Sequence, residues 1–454
     1  AAGHPSTAEA GAWVLAGGGN AVDACVAAAL AAFVVEGPLT GPAGGGFLVF
    51  HGAGGGPTVV YDCVVAAPSR PLGAMEETVV DFADASTQSF HVGLGSVAVP
   101  GLLHGLEAVH RDHGKLPWRD LATPALELAA AGAPVSEAQE FLHEILASIL
   151  LREEGGRRIY GSKGRIETAD LVPTLESIRD LGAAAAAALL PELAADLSGY
   201  EVAVREPLWT SFGSMAVGAC PAPSRGGGIV VAALERIARE GLAGLPGSGE
   251  EAVQLARALA VGYGHAAAAA RPTGTTQISV IDADHNAVGL SSTLGSGSGV
   301  FRGGTQLNNM LGELDVIGHG EQAPGSRLPS MMTPTVVLDR GLPRLVLGSA
   351  GSVRLAGAIV QVACGIVGHG LAVDEAIARP RLHPEGHRLH LEGGVGEAAA
   401  SALEADGWEL VRWAGRNLFF GGVAAVELRP DGTLAAAGDP RRGGAGVVAG
   451  RTGS

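Results

Sequence analysis

Glycine fills 71 of the 454 positions, more than twice its usual share of about 7%, and this restricts the fold more than any other feature. Such a chain is either a low-complexity tether or a globule built on tight turns and close backbone approaches. Hydrophobic residues make up 47% of it and charged residues 17%, too apolar a mixture to stay disordered. Aromatics are only 4% and alanine carries much of the apolar share, so elements must meet through small side chains. At roughly 150 residues per domain the length admits three domains, although large single domains are common.

Composition also removes classes of function. A net charge of −16 argues against nucleic acid and anionic membrane surfaces as partners. The longest apolar runs, such as 24–35, fall short of the roughly 20 residues of a membrane helix. Cys25, Cys63, Cys220 and Cys364 lie far apart with no CxxC pair, which fits neither a zinc knuckle nor a disulfide scaffold. No secretory apolar segment opens the chain, so a cytoplasmic location is expected. The absence of an initial Met fits removal of an upstream segment.

Along the chain, Ser6-Thr7-Ala8-Glu9 has capping-box spacing and opens an Ala-rich helix that stops at Gly17-Gly18-Gly19. Asn20 caps a second, more apolar helix reaching Val35, and Ala-on-Ala faces suit a buried hairpin of the two. Strands are expected at 47–51, 58–63, 277–282, 287–292, 334–339, 344–347 and 422–428, each bounded by Gly, Asp or Pro. Helices are expected at 101–113, 118–131, 137–151, 250–263, 353–367 and 373–378. The alanine runs at 183–188 and 266–270 read as compositional drift. No linker divides the chain and no repeat is found. The pattern is one compact α/β domain whose strands are covered by helices.

Two motifs fail on inspection. Gly93-x-Gly95-x-x-Ala98 imitates a dinucleotide fingerprint but lacks the acidic residue about 20 positions on. His383, His387 and His390 lie in a turn-rich stretch without spacing for a shared helical face, so they read as solvated or structural. No metal and no cofactor is expected. A third signal is stronger: Thr273-Gly274-Thr275-Thr276 places a Gly-Thr-Thr turn directly before an edge-like strand. A reversal at 282–286 and a second strand ending Ser291-Ser292-Thr293 would return Thr293 beside Thr275. A threonine hydroxyl is a weak nucleophile without an adjacent base. Cutting the Gly274–Thr275 bond would put an α-amine on the nucleophile itself, with a pKa of about 7.7–8, suited to general-base work near neutral pH. Thr-Thr at a strand start is also ordinary β-propensity, and the spacing leaves both readings open.

Further blocks change the odds. Asn20-Ala21-Val22-Asp23-Ala24 with Gly44-Gly45-Gly46-Phe47, Val97-Ala98-Val99-Pro100-Gly101, Pro223-Ser224-Arg225-Gly226-Gly227 and Thr275-Thr276-x-x-Ser279-Val280 come first. Leu307-Asn308-Asn309, Ser330-Met331-Met332-Thr333-Pro334-Thr335, Gly348-Ser349-Ala350-Gly351-Ser352 and Gly438-Asp439-Pro440-Arg441-Arg442 follow. In this order, over nearly the whole chain, they resemble the γ-glutamyltransferases. The resemblance implies the αββα sandwich of N-terminal-nucleophile hydrolases and a precursor that cuts itself between Gly274 and Thr275. Subunits of 1–274 and 275–454 would stay associated, with a dimer of such heterodimers an extension of the pattern. It implies Thr275 as nucleophile, Thr293 as its supporting hydroxyl, and the backbone N–H groups of Gly351 and Ser352 as the oxyanion hole. Asp439 and Arg441 match a motif read as structural.

The sequence departs from the family where a glutamyl head would be gripped. Val64 stands in place of the carboxylate-binding Arg, Gly295 in place of an Asn, and Met310 in place of a Gln. The amine-binding Asp falls on Glu313, and the paired serines are Ser330 and Met331. Bonds to charged groups are worth about 1.5–3 kcal/mol each, so losing the Arg and one Ser removes over a hundredfold in affinity unless Arg70 or Arg302 replaces the charge. The segment 313–330 is shorter than in lidded relatives, the stretch ahead of Thr275 is short, and the family's upstream strand is absent or trimmed. Three functions follow for a small-molecule substrate. The first is an amide hydrolase or transferase with a changed head group. The second, known within the family from the making of 4-alkylproline building blocks in bacterial secondary metabolism, is a carbon–carbon bond hydrolase releasing oxalate. The third is an inactive binding homologue, which the two threonines and the Gly-Ser turn disfavour.

Overall fold

The computed structural model describes residues 1–81, 87–265, 274–318 and 320–450. The alanine run at 266–270 and Thr273 lie outside the described residues. Eleven strands build the two larger sheets: β1 (Gly45–His51), β2 (Thr58–Cys63), β3 (Ala203–Arg205), β4 (Leu208–Phe212), β5 (Met215–Ala219), β6 (Gly274–Ile281), β7 (Ala287–Gly295), β8 (Thr335–Asp339), β9 (Leu342–Ala350), β10 (Gly422–Leu428) and β11 (Leu434–Gly438). The first sheet runs β6-β7-β1-β2-β3 and the second β11-β10-β9-β8-β5-β4. Every pairing between neighbours in them is antiparallel.

Strand periodicity explains the layering. Phe47 and Val49 of β1 meet Val336, Leu338, Val346 and Val426 in an apolar layer between the sheets. Their neighbours Leu48 and Phe50 point the other way, onto the helix Leu102–His113, where Phe50 stacks on His113, in the cluster that also holds α1 (Pro5–Ala16) and α2 (Ala21–Val35). On the second sheet Val337, Leu345, Leu347 and Ala425 face α3 (Arg225–Glu240), α4 (Gly249–His265) and α5 (Leu355–Ala363). The inner strands β1, β7 and β10 are therefore buried on both faces, while the edge strands β3 and β4 are partly exposed.

The helix hairpin forms as the small residues demand. A Cβ on Gly11 would stand 3.2 Å from the Ala24 carbonyl oxygen, so α1 and α2 are nearly in backbone contact. Asn20 caps α2 in a capping box with Asp23. The first cap differs from expectation: Pro5 at the first helical position pre-sets the backbone, so His4 becomes the cap, its Nδ1 accepting from the Ser6 N–H at 3.1 Å. The expected 118–131 helix begins as a tight turn, Trp118–Ala122, before the regular Thr123–Ala131. Sequence reading missed α3, whose first turn hides behind three glycines. Ser224 caps it, and Cβ atoms on Gly226 and Gly227 would lie 1.9 Å from the Met331 carbonyl and 1.8 Å from that of Cys220. The Pro223–Gly227 and Ser330–Thr333 blocks are thus two sides of one close backbone contact.

The unused motifs have local roles. Leu94–Ser96 is a single turn rather than a strand-to-helix crossover. His383 and His390 face each other across a hairpin. His383 packs edge-on against Tyr263, while His390 bonds Glu385 and the Trp413 indole N–H. Among the described residues, no group of three or more His, Cys, Asp or Glu side chains gathers to hold a metal ion.

Candidate active site

The pairing of β6 with β7 runs in register from Thr276–Ser292 to Ile281–Ala287, and then Gly274 pairs with Gly295. The shift between them sets Thr275 opposite two residues, Thr293 and Leu294, which form a bulge in β7. Thr275 is 2% exposed. Thr293 lies opposite Gly45 and is fixed at both ends of its hydroxyl. It accepts from the Gly295 N–H at 2.8 Å and donates to the Gly274 carbonyl oxygen. The hairpin returns Thr293 as the spacing predicts, and its bond goes to the peptide ahead of Thr275. A donor aimed at that carbonyl favours negative charge on its oxygen.

Thr275 shares a small cavity with Glu36, Thr276, Ala350, Gly422 and Arg442. Ala350 ends β9, and Gly351 follows at φ +118°, a conformation that favours glycine. A Cβ there would also stand 2.8 Å from Gly421 Cα. Ser352 opens the short turn into α5. On the neighbouring side, Asp439 caps the turn Pro440–Arg442. Its carboxylate binds Arg381, Arg441 and the Val423 N–H, and Arg441 also pairs with Glu392. Burial alone would raise the Asp439 carboxyl, but the two guanidiniums hold it below the usual range. Asp439 and Arg441 are thereby a buried structural clasp.

Two residues of this cavity escaped the sequence reading. Glu36 ends the apolar helix α2 and is buried. It accepts from Thr7 Oγ1 at 2.7 Å and from Thr276 Oγ1. Burial pushes its carboxyl upward, against the two hydroxyls and Arg442. An acid directly before Gly37-Pro38, at the end of an otherwise apolar run, was the available signal. Arg442 was masked by the structural role of its neighbours in the same motif.

The head-group positions look different. Val64 lies in the apolar layer between the sheets with Phe47 and Met332. Met310 and Met331 lie in the other cluster, with Val65, Ala98 and Leu328. Gly295 has φ +73°, and a Cβ on it would come 2.2 Å from Asn309 Oδ1 and 2.7 Å from Glu313 Oε1. Glu313 accepts from the Ser296 N–H at 3.1 Å. Ser330 Oγ accepts from the Met332 N–H at 3.2 Å. Neither alternative arginine is brought in: Arg302 pairs with Glu192 through both Nη atoms at 2.8 Å, and Arg70 is exposed.

Known proteins resemble the chain over nearly its whole length. The chain is 29% identical to an acylase ACY 1 proenzyme of Pseudomonas sp. strain SE83, over 96% of this chain and 90% of that protein. It is 28% identical to a glutathione hydrolase proenzyme of Pseudomonas aeruginosa, over 97% and 92%. Its fold matches a cephalosporin acylase from Bacillus halodurans with TM-score 0.81 at 19% identity, covering 97% and 94% of the two chains. The gamma-glutamyltranspeptidase family model matches residues 7–255 and 248–449, and the chain belongs to that family.

Proposed function

We propose that the chain is an autoprocessed hydrolase or acyltransferase whose nucleophile is Thr275, released as an N-terminus by cutting the Gly274–Thr275 bond. In this reading the two sheets with helices on their outer faces are the αββα sandwich of N-terminal-nucleophile hydrolases. Subunits 1–274 and 275–454 stay together. The observation that carries the reading is Thr275, set opposite the bulge at Thr293 and Leu294, beside a Gly274 carbonyl already held by the Thr293 hydroxyl.

Maturation begins when Thr275 Oγ adds to the Gly274 carbonyl carbon. The carbonyl oxygen takes the negative charge and Thr293 donates to it, a bond worth roughly 1.5–3 kcal/mol once its partner is charged. The C–N bond then breaks, the Oγ proton goes to the amide nitrogen, and an ester joins Gly274 to Thr275 Oγ. Water hydrolyses the ester, leaving a Gly274 carboxylate and a free α-amine on Thr275. In turnover that amine takes the Oγ proton, Oγ attacks the substrate carbonyl, and the Gly351 and Ser352 N–H groups receive the oxyanion. The leaving group departs with the proton. Water or an acceptor amine then releases the acyl group.

The head group is not the glutamyl zwitterion. Val64 packed between the sheets, the filled space beside Gly295, and Met310 and Met331 in an apolar cluster support this. Of the family's grip Ser330 and the acidic Glu313 remain. The same apolar substitutions favour, as a second reading, a carbon–carbon bond whose leaving carbanion is stabilised by conjugation. Steady-state assays with γ-glutamyl-p-nitroanilide and glutathione test the head group. Slow, unsaturated turnover is expected; a KM of about 1 μM to 1 mM would show a rebuilt glutamyl site.

A further inference from the structure

The turn at Gly351 and Ser352 is held from three sides, and one of the holds comes from ahead of the Gly274–Thr275 bond. Gly351 passes so close to Gly421 that a Cβ on it would stand 2.8 Å from the Gly421 Cα. The Arg354 N–H donates to the Gly351 carbonyl at 3.3 Å, and the Arg354 guanidinium lies 4.0 Å above the Phe419 ring. The third hold is a side chain of α4. Tyr263 Oη donates to the Val353 carbonyl at 2.8 Å and accepts from the Gly357 N–H at 3.1 Å.

The start of α5 shows why that hydroxyl is needed. The first N–H groups of a helix have no partner within it, and a Ser, Thr, Asp or Asn at the cap usually takes one of them. Here the cap is Arg354, whose side chain makes no capping bond. The Gly357 N–H, third in the helix, is satisfied instead by a phenol from another helix. Gly357 leaves the space for it, since a Cβ there would stand 3.1 Å from Tyr263 Oη. Burial pushes the Tyr263 phenol up, so at neutral pH it keeps its proton and both of its bonds. Tyr263 lies eleven positions before Gly274, whereas Val353 and Gly357 follow Thr275. The contact therefore joins the two segments that the cut would separate.

We propose that Tyr263 is a positioning residue for turnover: by fixing Val353 and Gly357, its hydroxyl aims the Gly351 and Ser352 N–H groups at the developing oxyanion. This rests on Thr275 being the nucleophile and on that turn receiving the charge. Self-cutting and turnover then depend on different donors. The Gly274 carbonyl is served by Thr293, so the cut does not need Tyr263. Turnover does, because a small misplacement of a donor is felt where charge forms in the transition state.

The activated ester p-nitrophenyl acetate tests this, because it has no head group to be recognised. Thr275 Oγ takes the acetyl group, its proton passes to the Thr275 α-amine, and p-nitrophenolate leaves as a burst, read against uncut Thr275→Ala as background. Tyr263→Phe should cut itself within about twofold of the wild-type rate, yet acetylate about tenfold more slowly at an unchanged half-saturating concentration. Gly357→Ala presses a methyl on the same hydroxyl and should show the same slowing with Tyr263 intact. In the double variant the methyl meets no hydroxyl, so acetylation should be no slower than in Tyr263→Phe alone. Additive losses would mean that Tyr263 serves packing and would overturn the proposal. So would a wild-type acetylation rate in Tyr263→Phe, a loss seen only in the half-saturating concentration, or equal slowing of the cut and of acetylation. If Tyr263→Phe does not fold, Gly357→Ala decides: slowed acetylation supports the proposal and a wild-type rate overturns it. Failure of the nucleophile reading shows separately, as wild-type protein that never cuts itself or gives no burst above Thr275→Ala.

Discussion

The corner around Thr275 and the head-group positions around Val64 and Gly295 belong to one molecule but are built on different principles. At Thr275 the groups that matter are backbone atoms and hydroxyls, fixed by strand register and by glycines such as Gly351 that leave no room for a side chain. At the head positions side chains decide, and they have become valine, methionine and glycine. On the proposed reading, a reaction that needs a nucleophile, a donor and two N–H groups survives such change because the fold itself supplies them. Recognition of one substrate head is, on the same reading, what changes, because it depends on charged side chains that can be exchanged singly.

The comparison breaks most visibly at the nucleophile. Thr275→Ala should leave a single uncut chain with no turnover, read on a denaturing gel; a second band at the wild-type position would remove Thr275 from the chemistry. The next largest effect is expected at Thr293. Thr293→Ala should slow maturation and turnover by about tenfold to a hundredfold, the value of one hydrogen bond to a charged oxygen, while Thr293→Ser restores most of both. Equal loss in the two variants would mean that Thr293 serves packing.

On the other side of the comparison, Val64→Arg should not create γ-glutamyl activity. It places a guanidinium among Phe47, Met332 and other apolar side chains, and an unpaired buried charge should lower stability by about 3 kcal/mol or more, measured by urea unfolding. A stable variant that gains γ-glutamyl turnover would show that position 64 still faces the substrate. The smallest effect concerns pH. Burial raises the folded-state pKa of Glu36 above the unfolded value of about 4.3. Its contribution is therefore fully present below the unfolded value and is lost as pH rises through the folded one. Glu36→Gln should flatten that part of the stability–pH curve; an unchanged curve would mean that Glu36 is ionised in the folded protein.

What the sequence made legible was whatever rests on local chemistry. Asn20 with Asp23 announces a capping box, Gly-bounded β-branched runs announce β1, β2 and β10, and Gly-Thr-Thr before a strand and its reversal announces the return of Thr293 to Thr275. Burial and long-range neighbours were not legible. Glu36 meets Thr276 across 240 positions, and no spacing rule joins them. The three glycines that open α3 look like a loop until Met331 and Cys220 arrive at their backbone. Arg442 reads as one more arginine in a structural motif until its neighbour Arg441 is seen to have taken Glu392 and part of Asp439. The family resemblance grouped Val64 with Met310 and Met331, and only packing separates them into two clusters.

The most direct test of the central claim is intact mass spectrometry of purified wild-type protein with N-terminal sequencing of its smaller fragment. The expected result is two chains of 274 and 180 residues, the smaller beginning Thr275-Thr276-Gln277. A single chain that stays intact on prolonged incubation, or a cut at any other bond, would contradict it.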